Sequence, residues 1–287
     1  MPLPRRRPRA PAMPRSLSFA DAEPPAALRI VSLLAPKLLG FYTFLAGRVA
    51  RRLDCHVEVV VGTSYDDLDS ADVAFVCSLP YVERTRRGDC PVEPIVAPVV
   101  RGARYGGRPI YFSDVIVRRD SPFRSFADLR GRSWAYNERH SQSGYGITRF
   151  VLARDGHAKG YFGRVVEAGW HEQAIRLVAA GGCDASAIDS HLLAVMVRDE
   201  PDLANELRVI ETLGPSTIQP VVVARRLPRR VKSELRRAFL SLAGDPAAQQ
   251  PLAAALVERF VPVGDRDYDD VRRMADAART AGWHTLD

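Results

Sequence analysis

The chain has 287 residues, 46% of them hydrophobic and 26% charged, the balance of a soluble globular protein with enough length for two lobes. It contains no run of about 18 uncharged apolar residues, which argues against a membrane-spanning helix. Of the formal +7 charge, Arg5, Arg6, Arg7, Arg9 and Arg15 against Asp21 and Glu23 place +3 in residues 1–25 and leave +4 dispersed, so no basic stripe marks a nucleic-acid binder.

Residues 1–25 are rich in Pro and Arg, lack helical or strand periodicity, and read as a disordered tail. Their basic start runs into Pro11-Ala12-Met13-Pro14 instead of the apolar core of a secretory signal, and no lipoprotein-type cysteine follows. Residues 28–34 then read as a strand, 38–53 as an amphipathic helix, 57–61 as a second strand, and the almost wholly apolar 72–77 as a third. Strands alternating with helices predict parallel pairing with right-handed crossovers. Residues 111–117 form the expected first crossing strand.

A second lobe is expected from strands at 133–136, 165–168, 184–188 and 208–211, interleaved with helices at 143–154, 171–180 and 191–197. Gly156 and the pair Gly181-Gly182 stand where left-handed helix stops belong. Residues 220–224 return the chain to the first lobe, and helices are expected at 228–243, 246–260 and 268–281. The resulting division is residues 26–113 with 222–287 in lobe one and 114–221 in lobe two. Cys55, Cys77, Cys90 and Cys183 show no paired or zinc-type spacing; Cys77 and Cys183 read as small core residues, whereas Cys55 and Cys90 are free thiols or a pair.

The segment Ser141-Gln142-Ser143-Gly144-Tyr145-Gly146 follows a strand-like run and opens a helix. Serine at a helix start caps free N–H groups, glycine admits a ligand close to the main chain, and the helix dipole favours negative charge there. Strand, Ser/Gly loop and helix together make a candidate oxyanion site. His171 opens the next helix, and Asp189 follows a strand, either as a ligand contact or as an N-cap. No nucleophile–base signature, metal cluster or phosphate loop is present, so no catalytic residue, metal or cofactor is assigned.

The ordered set Ser78-Leu79-Pro80-Tyr81, residues 108–122, Ser125-Phe126-Ala127-Asp128-Leu129-Arg130-Gly131, the Ser141 segment, Gly169-Trp170-His171, residues 182–190 and residues 220–228 resembles the phosphonate-binding family of ABC-transporter substrate-binding proteins. The resemblance spans roughly residue 28 to the carboxyl end. It implies an α/β, two-lobed type II periplasmic-binding-protein fold, with mostly parallel sheets flanked by helices and two hinge strands. It further implies a small phosphonate, phosphite or related oxyanion as ligand, an ABC permease as partner, a monomer, and a periplasmic location. The missing export signal leaves the cytoplasm open.

By the same resemblance, Ser141, Gln142, Ser143, Gly144 and His171 hold the oxyanion, Gln142 standing where the family usually has threonine. Tyr81 closes over the ligand, and Tyr111 and Ser113 line the hinge side. Tyr42 is a weaker candidate, more readily a packing residue, and Trp134 and Trp170 are assigned to packing. The alternative is a cytoplasmic enzyme on the same scaffold, with His171 and Asp189 as an acid/base pair, or a ligand-sensing protein.

Overall fold

A computed structural model describes residues 26–286; the expected tail at 1–25 lies outside the described residues. Along the chain, β1 (Ala27–Ser32), α1 (Leu39–Leu53), β2 (His56–Val61), β3 (Val73–Phe75), α2 (Ser78–Arg87) and β4 (Val92–Val100) come first. The strand β5 (Ile110–Arg118) then crosses to β6 (Ser133–Tyr136), α3 (Ile147–Arg154), β7 (Arg164–Glu167), α4 (His171–Ala179), β8 (Ala185–Asp189), α5 (Ser190–Asp199) and α6 (Asp202–Glu206). The long β9 (Leu207–Thr217) leads back to β10 (Val221–Ala224), α7 (Arg229–Leu240), α8 (Pro246–Ala254), β11 (Val257–Pro262) and α9 (Asp269–Thr280).

These strands form two sheets, ordered β11-β4-β10-β3-β1-β2 and β7-β6-β8-β5-β9, each flanked by helices. The expected parallel ladders are those of β1 with β2 and β3 and of β6 with β7 and β8. The ladders of β10 with β3 and β4, β11 with β4, and β5 with β8 and β9 are antiparallel, so each sheet is mixed. The reason lies in the crossings. Strands β1, β3, β6 and β8 deliver their carboxyl ends to the interlobe cleft. Strands β5 and β10, having just crossed, enter their sheets from that cleft and therefore run the other way.

Strands β11 and β4 depart from the sequence expectation, and the helices α2 and α6 are additional to it. The helix expected at 246–260 ends at Ala254, and Val257–Pro262 is a strand. Its register against β4 shifts between Val257 and Arg259, so the buried Val257 and Phe260 lie three residues apart, a spacing that imitates a helix. Strand β4 carries Pro94 and Pro98, which disguise it. Pro94 sits at the bulge in the β10 ladder, and Pro98 lies beyond the last β10 partner, two places where a strand tolerates proline.

Lobe one is built on apolar layers on both faces of its sheet, such as Leu45, Phe75 and Phe239 on one side and Leu79, Tyr111 and Tyr268 on the other. In lobe two, Trp134 stacks on Phe162 with ring centroids 4.6 Å apart. The final helix touches both lobes: Val271 and Ala275 join the apolar layer of lobe one, whereas Ala278, Trp283 and Leu286 join that of Trp134. All four cysteines are free thiols. No described helix is long and apolar enough to cross a membrane.

Candidate functional site

A cavity of about 60 Å³ lies between the lobes. Its polar wall comes from lobe two: Asn137, Ser141, Ser143, His171 and Asp189. Lobe one and the hinge contribute Leu34, Leu38, Tyr42, Cys77 and Gln219. The volume suits an ion of a few heavy atoms, since one water needs about 10–15 Å³ on this measure.

The loop after β6 sets the geometry. Ser141 Oγ accepts the Gly144 N–H at 3.0 Å, and the Ser141 carbonyl accepts the Gly146 N–H at 2.8 Å. The latter bond widens the first turn, Gln142–Gly146, into a π-helix before α3 begins. Position 144 is tight: a Cβ there would lie 2.1 Å from Asn137 Oδ1 and 3.3 Å from His171 Cε1, so the Asn137 side chain or the loop would have to give way. Ser143 Oγ lies 2.9 Å from His171 Nε2 and 3.4 Å from Ser141 Oγ.

His171 is the first residue of α4 and is buried. Desolvation pushes its pKa down to about 4, only partly opposed by the Asp189 charge, so the ring is neutral at pH 7. Its Nδ1 is buried with no hydrogen-bond partner among the described residues. Either tautomer therefore presents a donor. With the proton on Nε2, Ser143 Oγ accepts it and the serine hydrogen is free to turn toward a ligand. With the proton on Nδ1, that N–H is itself unpaired.

Asp189 caps α5. Its Oδ1 accepts the N–H groups of His191 and Leu192 at 2.8 and 3.2 Å, and its Oδ2 accepts from Gln219 Nε2 at 2.6 Å. Its carboxylate is thus occupied by protein donors. No Arg or Lys lines the cavity among the described residues. The amino ends of three helical segments converge on it instead: the 142–154 helix, α4 and α5. Aligned peptide dipoles and unpaired N–H groups at such ends favour an anion.

Of the residues singled out by sequence, Tyr42, Ser141, Ser143, His171 and Asp189 line the cavity, and Gly144 lies behind it against Asn137 and His171. Gln142 does not line it. Its side chain turns to the hinge and the last helix, Nε2 lying 3.2 Å from Ser216 Oγ and 3.3 Å from Met274 Sδ. Tyr81 lies on the buried side of α2, where its hydroxyl donates to Asp265 at 2.6 Å and its ring meets Tyr268 edge-on. Tyr111 is buried on the crossing strand, with its hydroxyl toward Ser78 and Ser143. Ser113 pairs in register with Asp189 and Leu213. Trp134 packs in the core as expected, whereas Trp170 lines the cavity.

Asn137, Gln219, Cys77, Glu138 and His191 also line the cavity and were not anticipated. Asn137 directly follows β6 and Cys77 comes two residues after β3, so the rule that placed Ser141 after a strand applies to them as well. Gln219 and His191 carry no comparable signal.

Several contacts hold the lobes together around the cavity. Tyr65 donates to Glu138 at 2.7 Å, and the Gln142 N–H reaches Cys77 Sγ at 3.4 Å. On the far side, His191 Nε2 meets the Ala255 carbonyl at 2.5 Å, and Arg198 donates to the Ala254 carbonyl at the end of α8. Lys37 bridges to Asp199 at 3.2 Å.

Two α/β lobes joined by crossing strands, with a buried polar cavity between them, define a two-lobed solute-binding protein. Residues 37–268 match the family of periplasmic phosphonate substrate-binding proteins of ABC transporters, and the chain belongs to that family. Solved structures agree on the fold. A binding-protein component of an ABC phosphonate transporter from Pseudomonas aeruginosa superposes with a TM-score of 0.77 at 18% identity, covering 89% of this chain and 87% of that one. PhnD1 from Prochlorococcus marinus, in complex with methylphosphonate, gives 0.74 at 16% identity over 90% and 99% of the two chains. The alkanesulfonate-binding protein SsuA from Xanthomonas axonopodis pv. citri, bound to MOPS, gives 0.63 at 18% identity over 92% and 96%.

Proposed function

We propose that this protein captures a small phosphonate or phosphite-like oxyanion in the interlobe cavity and, as a monomer, presents the closed form to an ABC permease. The observation that carries this reading is a buried, cation-free polar wall at three converging helix amino ends, with the Ser143–His171 pair at its centre. Backbone dipoles and neutral donors suit an oxyanion that must be released as well as bound. Ser141, Ser143 and His171 face the anionic head, Gly144 lets the main chain approach, and Asn137 and Tyr42 complete the wall.

The protein works by binding, without covalent chemistry. An acid/base pair of His171 and Asp189 has no support, because Asp189 is hydrogen-bonded to α5 and Gln219 and makes no hydrogen bond to His171. Hinge closure on the bound ion is the working step. Titration calorimetry with methylphosphonate, phosphite, phosphate, sulfate and methanesulfonate tests the reading. Tight binding of methylphosphonate or phosphite supports it; binding of the sulfur oxyanions alone overturns it.

A further inference from the structure

A second space lies against the lobe-one wall of the cavity. Leu34, Leu38, Tyr42, His191 and Gln219 border it as well, and its volume is about 30 Å³. Beyond them it is enclosed by Phe41, Leu45, Phe75, Val257 and Phe260, with Pro98 and Pro220 near the hinge. The Tyr42 ring borders both spaces and stacks on Phe75 with centroids 4.7 Å apart. Among the described residues no Asp, Glu, Lys or Arg lines the inner space. It is deep in the otherwise close-packed core of lobe one, where unfilled volume costs stability unless something occupies it.

We infer that this slot takes the carbon substituent of the ligand, so that the preferred solute is a phosphonate with a short, unbranched apolar chain. The inference rests on the phosphonate reading above and deepens it. Lobe two supplies most of the donors for an anionic head, and the mainly apolar second space adjoins the wall that lobe one contributes. An ion with only a head would leave the slot empty; a chain of two or three carbons fits a space of about two water volumes.

An ammonium group fits poorly. Entering the slot, it would exchange its hydration for no more than the polar tips of Tyr42, His191 and Gln219, and of the two carboxylates that line the cavity Asp189 already accepts three hydrogen bonds and Glu138 accepts one from Tyr65. A molecule reaching both spaces also touches both lobes, so the chain adds directly to closure.

The experiment is calorimetry of the full chain with methyl-, ethyl- and propylphosphonate and with 2-aminoethylphosphonate, which matches propylphosphonate in length. Each added methylene is expected to tighten binding by about fourfold, the equivalent of about 0.8 kcal/mol per buried CH₂. 2-Aminoethylphosphonate is expected to bind at least about tenfold more weakly than propylphosphonate. Leu45→Phe, which fills the slot, is expected to bring the methyl-to-propyl affinity ratio close to one.

Flat or falling affinity from methyl to propyl, or tighter binding of the amine, overturns the slot while leaving phosphonate binding intact. A wild-type ratio in folded Leu45→Phe also overturns it. Should that variant not fold, as judged by circular dichroism, the chain-length series on the wild-type protein decides alone. Failure of every phosphonate to bind, methylphosphonate included, overturns the underlying reading and the slot with it.

Discussion

Ser143 Oγ and His171 Nε2 lie 2.9 Å apart across 28 residues of sequence, each at the amino end of a different helix. Neither group carries a charge at pH 7, yet both are buried. Their bond fixes the imidazole and leaves one hydrogen for an incoming oxygen. Ser143→Ala is expected to weaken oxyanion binding by about 1–3 kcal/mol, the scale of a hydrogen bond to a charged group. Calorimetry with methylphosphonate checks it; unchanged affinity would remove this helix end from the site.

The depressed pKa of His171 makes stability depend on pH. The unfolded imidazole titrates near the ordinary 6.5 and the folded one at about 4, so the unfolded chain binds more protons between those values. The contribution is complete above pH 6.5 and is lost as pH falls toward 4, amounting to about 2 kcal/mol at pH 5. His140 acts in the opposite sense. Glu83 holds its pKa above 6.5, so its contribution is present below 6.5 and fades as pH rises through the raised value. Urea unfolding at pH 5 and 8, comparing wild type with His171→Gln, isolates the His171 part. The variant should lose less stability on acidification, and equal losses would rule out a neutral buried ring.

Gly144→Ala tests the tight turn. The new methyl would fall 2.1 Å from Asn137 Oδ1, so the Asn137 amide or the loop must shift. Overpacking of this kind costs about 1–3 kcal/mol, and the shift would also separate Ser143 from His171. Thermal melting should show the loss. Adding Asn137→Ala should recover the melting temperature without recovering ligand affinity, because Asn137 itself lines the cavity.

The polar side of the site was legible because a strand's carboxyl end followed by Ser/Gly and a helix is a local pattern: Ser141, Ser143 and His171 declare themselves within a few residues of sequence. The other side was not. Tyr81 was placed over the ligand by the resemblance of residues 78–81 to a family segment, but the run 78–87 is helical and turns Tyr81 toward Asp265, 184 residues away. Gln142 stood in a ligand-facing motif, yet its extra methylene lets it reach Ser216 and Met274. His191 and Gln219 belong to the cavity only once the hinge brings α5 against lobe one. Strand β11 was hidden by a bulge that reproduces helical spacing.

The end of the chain is expected to be structural. Trp283 is 2% exposed and joins the apolar layer of lobe two after α9 has packed on lobe one. Trp283→Ala should destabilise by about 3–5 kcal/mol, the usual cost of emptying a buried aromatic site. A denaturant midpoint within error of wild type would show that the carboxyl end is dispensable.

Closure itself is open to test at Tyr65. Its hydroxyl, from lobe one, donates to Glu138 of lobe two at 2.7 Å, and its ring meets His140 edge-on at 5.1 Å. Burial holds the Glu138 carboxyl above its ordinary pKa, and the Tyr65 bond works against that rise. Tyr65→Phe keeps the ring and removes the donor, so the closed form must bury a carboxylate with one bond fewer. A net loss of about 0.5–1.5 kcal/mol is expected. Because ligand holds the closed state, this loss lowers the fraction of binding-competent protein and weakens apparent affinity by about two- to tenfold. The change should appear mainly as faster dissociation. Small-angle scattering should show a larger radius of gyration for the unliganded variant and a return to the wild-type value at saturating ligand. Unchanged affinity together with an unchanged radius would mean that the contacts at Ala254 and Ala255 on the far side hold the lobes closed without Tyr65.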